Sequence, residues 1–165
     1  MDSIYALAMQ IISKYMTRDP FEIAESMGIL VKEADIGRQQ GFFRYIDDVP
    51  CIFISSRLNV FQRLIVCAHE LGHFFLHSEI AKEKVLREFG MFNMKDLVEN
   101  EANVFAAELL IDENELIEHL EDGYTVFQTA SMLGYNIDLL YIKLKEMNRR
   151  GYDFDTSWGN CALFR

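Results

Sequence analysis

The sequence predicts an α+β fold. Helical periodicity and capping signals cover most of its 165 residues, and the few strand-like segments fall close together between Ile29 and Ser55. No internal repeat, low-complexity tract or linker-like stretch interrupts the chain, so one domain spanning residues 1–165 is expected.

The elements follow in order. Ile4, Leu7, Ala8, Ile11, Ile12 and Tyr15 recur at helical spacing and predict an amphipathic first helix. The segment opens with Asp2 rather than a basic stretch and has no small-residue cleavage site, so it does not read as a signal peptide. "DPFEIAESMG" supplies an Asp cap, Pro at the first helical position and Gly past the end, the marks of a short second helix. "ILVKEAD" reads as a strand, and "GFFRYI" and "CIFIS" read as a hairpin about the turn "DDVP", with Pro50 assigned to the turn. Asn59 with Gln62 forms a capping-box variant that opens a helix through "HELGH". A polar, weakly periodic region is expected at about 78–94, then a long helix through "KDLVENEANVFAAELLI". "DENE" and "TVFQ" open two more helices, Gly134 closes the second, and a last helix runs from about Ile137 to Arg149. The tail "GYDFDTSWGNCALFR" shows no clear period.

The composition is globular: half the residues are hydrophobic, with only two prolines and nine glycines. A net charge of −10 repels a nucleic-acid backbone overall but leaves room for a protein partner with a basic face. Three scattered cysteines, Cys51, Cys67 and Cys161, form no CxxC pair and point to a reducing compartment. No apolar run reaches the length needed to span a bilayer. These features predict a soluble, cytoplasmic protein with no membrane partner.

"HELGHFFLH", residues 69–77, holds three of the four histidines. On a helix, His69 and His73 project from one face one turn apart, where two imidazoles can grip one Zn²⁺. Glu70 is offset by one position, beside the metal rather than on it, and is the candidate catalytic base. Gly72 lowers the helix surface so that another element can pack closely. The bland alternative is two surface histidines, but "LIVCA" before the motif and "FFL" after it predict a buried helix, and buried imidazoles need partners.

A catalytic zinc site takes three protein ligands and an open position. His77 continues up the same helix, too far along for all three histidines to share an ion, and is expected to be structural or at the pocket rim. Downstream, "ENEAN" offers Glu99 and Glu101, which point to nearly opposite sides of a helix, so only one can face the metal. Asn103, on the face of Glu99, is placed to hydrogen-bond a ligand histidine. A helix face turned to solvent is the plain reading of such carboxylates, and it is the one expected for Glu101.

"AHELGHFFLH" followed by "ENEANVFAAELLI" resembles the ImmA/IrrE family of bacterial metallopeptidases, over about residues 20–112 and more weakly through a helical portion at about 113–150. The resemblance implies a small zincin-like fold of the gluzincin type, with an active-site helix beside a few-stranded sheet and a helical C-terminal part. It implies Zn²⁺ as cofactor, His69, His73 and Glu99 as ligands, and Glu70 as general base. Glu99 is chosen over Glu101 because the family's ligand stands three residues before the Ala of the "A-N-x-F-A" run, here Ala102. The family's second motif often ends in Met-Pro, whereas this one ends "LLID". Members are similar in function to site-specific proteases that cut helix-turn-helix repressors of mobile elements and prophages and so relieve repression, often after DNA damage. The expected partner is such a repressor, on a separate chain.

Two alternatives bear on this reading. "TVFQTASMLGYNIDLLYIKLKEMNRR" could pass for a helix-turn-helix, but from Tyr135 to Arg150 only Lys143, Lys145, Arg149 and Arg150 stand against Asp138 and Glu146. That is a weak basic footprint in an acidic chain, so packing on the core or docking a partner is favoured, with no direct nucleic-acid binding. The second alternative is a non-enzymatic anti-repressor with a structural zinc site. The intact Glu70 favours the enzyme, since a structural site needs no base and usually has four protein ligands.

Overall fold

A computed structural model describes residues 4–83 and 92–156 of the chain. Among these, the element order is α1 (Ile4–Tyr15), α2 (Pro20–Ser26), β1 (Leu30–Ala34), β2 (Gly41–Ile46), β3 (Val49–Ser55), α3 (Val60–Glu83), α4 (Phe92–Leu110), α5 (Glu113–Glu121), α6 (Val126–Leu133) and α7 (Ile137–Arg149). The class is α+β, as the clustering of the strands predicts.

The three strands form a mixed sheet in the order β1-β3-β2, with β1 parallel and β2 antiparallel to the central β3. The hairpin is tighter than expected. Its turn is only Asp47 and Asp48, both at positive φ (49° and 63°), and Val49 and Pro50 belong to β3. A two-residue turn of this hand matches the twist of the flanking strands, and Asp tolerates the left-handed region. Pro50 can sit in the central strand because it pairs with Tyr45 on one side while β1 begins only opposite Cys51. Its missing N–H therefore falls where no ladder bond is due.

The helix ends carry the chemistry their sequences announce. Asn59 and Gln62 bond reciprocally, side chain to backbone, at 2.9 and 3.0 Å and start α3. Thr125 and Gln128 form the capping box of α6, which Gly134 ends at φ 76°. α3 runs on to Glu83 and α4 starts at Phe92, so part of the region expected to be irregular is helical. The strong helix formers Ala81, Lys82 and Glu83 allow the extension. Residues 84–91, also expected to be irregular, and the tail from residue 157 lie outside the described residues.

α4 is the spine of the molecule, packed on α3, α1 and α7. Every residue from Ala102 to Ile111 is buried, which is why its motif shows little amphipathic contrast. Where the sequence has "LLID" in place of a helix-breaking proline, Arg18 closes the C-terminus of α4. Its guanidinium donates to the Leu109 carbonyl at 3.0 Å and pairs with Asp112 at 2.8 Å. Asp112 in turn caps α5 through the N–H groups of Asn114 and Glu115. α7 packs on α4 with Leu139, Leu140, Leu144 and Met147 buried. Of the four basic residues that suggested a DNA reader, Lys145 and Arg149 are exposed, whereas Lys143 is fully buried and, with Arg150, bonds to Glu108 and Glu113. No described helix is long and apolar enough to cross a membrane.

Candidate metal centre

The centre is built where α3, α4 and β2 meet. Gly72 permits the approach of α4: a Cβ there would lie 3.0 Å from the Ala102 Cα and 3.1 Å from its carbonyl oxygen. Gly41 does the same for β2, where a Cβ would meet Val66 Cγ1 at 2.4 Å and Glu70 Oε1 at 3.2 Å. Two glycines thus let a helix and an edge strand close on the histidine-bearing helix.

His69 and His73 turn their Nε2 atoms towards each other, 3.1 Å apart, and Glu99 brings Oε2 to 3.3 Å from the first and 3.7 Å from the second. All three donor atoms lie within 4.8 Å of one another. A tetrahedral Zn²⁺ with bonds of about 2.0–2.1 Å places its donors about 3.3 Å apart, so the spacing suits such an ion. The tautomer of His69 is set from behind. Its Nδ1 lies 2.8 Å from Asn103 Oδ1, an acceptor, so Nδ1 carries the proton and Nε2 offers a lone pair to the cluster. Where His69, and then His73, carries a hydrogen on Nε2 instead, it donates to Glu99; these bonds outweigh burial and hold the Glu99 carboxyl well below the usual carboxylate range.

Glu70 is buried beside this cluster. Burial pushes its carboxyl up to about 7; the neighbouring His73 opposes the rise, Glu99 adds to it, and the backbone N–H of Phe43 on β2 donates to the carboxyl and lowers it. A buried carboxyl that titrates near neutrality has the balance a general base requires. Phe43 also packs edge-on against Phe74 of α3, fixing β2 at this distance.

The residues singled out in the sequence fall into place as follows. His69, His73 and Glu99 come together, Glu70 stands next to them, and Asn103 meets His69. His77 takes the structural one of the two places expected for it, not the rim: it is only 6% exposed, and its Nδ1 lies 3.3 Å from His73 Nδ1. One expectation needs correcting. Glu101 does not simply face solvent, because its Oε2 lies 2.9 Å from His77 Nε2. The i, i+4 spacing of His73 and His77 on a helix already expected to be buried signals the contact between those two, but nothing local signals Glu101.

Taken together, these elements describe an α+β protein with an HExxH helix, a small mixed sheet and a glutamate delivered by a second helix. The comparisons agree. The profile of the IrrE N-terminal-like domain, a peptidase family, matches residues 24–129. Metallopeptidase ImmA of Bacillus subtilis is 30% identical over 123 residues, covering 73% of this chain and 72% of that protein. An uncharacterized immunity region protein of Bacillus phage phi105 is 34% identical over 141 residues, covering 85% and 88%. The chain therefore belongs to the ImmA-like metallopeptidase family, with the IrrE N-terminal-like domain. A solved structure of a Mycobacterium tuberculosis transcriptional regulator shares the fold, with TM-score 0.61 at 18% identity. The match covers 86% of this chain but only 46% of that longer one.

Proposed function

We propose that the protein is a zinc-dependent endopeptidase of zincin-like architecture that cuts a helix-turn-helix transcriptional repressor and so relieves repression. The observation that carries the enzymatic half is the pairing of a three-donor cluster, His69, His73 and Glu99, with a buried carboxyl, Glu70, that is not part of it. Three protein donors leave a position free for chemistry, whereas structural zinc sites are usually closed by four. Similarity to a metallopeptidase and to a phage immunity-region protein supports the repressor as substrate. The chain's charge of −10 suits a substrate with a basic, DNA-binding face.

Zn²⁺ held by the three donors would supply Lewis acidity, polarising a peptide carbonyl and acidifying a water in the same pocket. The rest is the work of the chain. His69 and His73 offer neutral Nε2 lone pairs, and Asn103 keeps His69 in that tautomer. Glu70 takes a proton on its carboxylate from the attacking water and passes it to the leaving amine nitrogen. The Phe43 N–H holds that carboxylate against β2 while it does so.

The test is co-expression with a candidate helix-turn-helix repressor, following repressor length on a gel together with a derepression reporter. Wild type should shorten the repressor and induce the reporter. Glu70→Gln keeps side-chain size and zinc but should leave the repressor whole and the reporter silent. Induction by both forms with the repressor uncut would sink the protease reading in favour of a binding anti-repressor.

A further inference from the structure

We propose that His77 and Glu101 are positioning residues for the metal centre, forming a relay that fixes the tautomer and orientation of His73; this rests on His73 being a zinc ligand. The relay runs from Glu101 Oε2 to His77 Nε2 at 2.9 Å, and from His77 Nδ1 to His73 Nδ1 at 3.3 Å. His73 Nε2 then faces His69 Nε2 and Glu99.

The order of protons along this chain follows from its far end. An ionised carboxylate only accepts, so the His77 Nε2 facing it must carry a hydrogen. A neutral His77 then has a bare Nδ1, which accepts the Nδ1–H of His73. That leaves the His73 Nε2 lone pair directed into the cluster, as a ligand requires. The opposite order would set a bare His77 nitrogen against the Glu101 carboxylate and place a hydrogen on His73 Nε2, inside the cluster. The two histidines are therefore held by different devices. His69 leans on the neutral amide of Asn103, whereas His73 leans through a second imidazole on a carboxylate. Both supports come from α4, which also carries Glu99, so one helix delivers a donor and orients both imidazoles.

Partners of this kind typically change metal affinity by roughly 10 to 100-fold when removed. Zinc affinity is read by competition with a chromophoric chelator, and histidine tautomers in the zinc-free protein by ¹⁵N NMR. Glu101→Ala and His77→Phe should each weaken zinc binding within that range while still taking up one ion at saturating zinc. Glu101→Gln, whose amide oxygen accepts the same hydrogen bond, should recover much of the affinity. In wild type, His77 should be protonated on Nε2 and His73 on Nδ1, and Glu101→Ala should erase that bias. The Glu101 side chain is 39% exposed, so its variants test the relay even if His77→Phe does not fold. Wild-type affinity in Glu101→Ala, or a His73 protonated on Nε2 in wild type, overturns the relay. Failure of the underlying site reading looks different: His73→Ala would then bind zinc as tightly as wild type.

Discussion

Gly72 and Ala102 touch backbone to backbone, so close that a Cβ on Gly72 would lie 3.0 Å from the Ala102 Cα. Ala102 sits between Glu101 and Asn103 on α4, and Gly72 directly precedes His73 on α3. Gly72→Ala should gain roughly 1 kcal/mol of helix propensity but lose about 1–3 kcal/mol to overpacking against backbone that cannot rotate away. The decisive readout is zinc affinity: pushing the helices apart draws Glu99 and Asn103 away from the histidines, so affinity should fall. Unchanged affinity would mean that the site does not depend on this contact.

The donor set makes a direct prediction. Wild type should hold about one Zn²⁺ per chain. Glu99→Ala should lower zinc content at limiting zinc, because it removes the carboxylate that lies within 3.7 Å of both imidazoles. Asn103→Ala should keep the stoichiometry at saturating zinc while affinity drops by roughly 10 to 100-fold. Elemental analysis of protein prepared with zinc in the medium, followed by chelator competition, checks each of these. A wild type free of metal after such a preparation would count heavily against the centre.

Asp112 predicts a pH effect remote from the metal. Burial pushes its carboxyl up, but the N–H groups of Glu115 and Asn114 and the guanidinium of Arg18 outweigh that and hold it below its ordinary value of 3.8. A carboxyl depressed in the folded state contributes stability that is present above about pH 4 and lost as pH falls through the folded value. Asp112→Ala, which also removes the α5 cap, should cost about 0.5–2 kcal/mol at neutral pH. Asp112→Asn can still cap and should cost less. Urea denaturation of the three proteins at pH 7 and near pH 3 should show the gaps narrowing in acid.

What could be read from the sequence was local. Asn59 with Gln62, Thr125 with Gln128, and Asp19 before Pro20 announce their helix starts because each cap is closed within a few residues. His69, Glu70 and His73 are legible for the same reason, since one turn of helix fixes their relation. The contacts that escaped notice are those between elements. Glu101 reaches His77 across 24 residues and Lys143 reaches Glu108 across 35, and no periodicity within a single helix encodes either distance. A helical wheel rightly separates Glu101 from Glu99, but it cannot show that α3 has a further histidine waiting on that side. Pro50 reads as a turn residue because proline disfavours a strand in general, while the register of this sheet gives its missing N–H no partner to lose.

The buried ion network behind the centre makes the last prediction. Lys143 of α7 and Glu108 of α4 are both 0% exposed, and with Arg150 and Glu113 they place two cations against two carboxylates. Removing one member leaves a charge inside the protein without its partner, which typically costs 3–5 kcal/mol, whereas replacing a buried pair by apolar side chains of similar volume is often neutral or stabilising. Lys143→Met should therefore be severely destabilising in urea denaturation, because Glu108 keeps only Arg150. Adding Glu108→Leu should recover much of the loss, although Glu113 and Arg150 still pair at the margin. The double variant should also bind zinc as wild type does, since Glu108 lies nine residues beyond Glu99, on about the opposite side of α4. Equal destabilisation by the single and double variants would show that the network holds α7 through packing rather than charge. Loss of zinc in a folded double variant would show that α7 and the metal centre are coupled through α4.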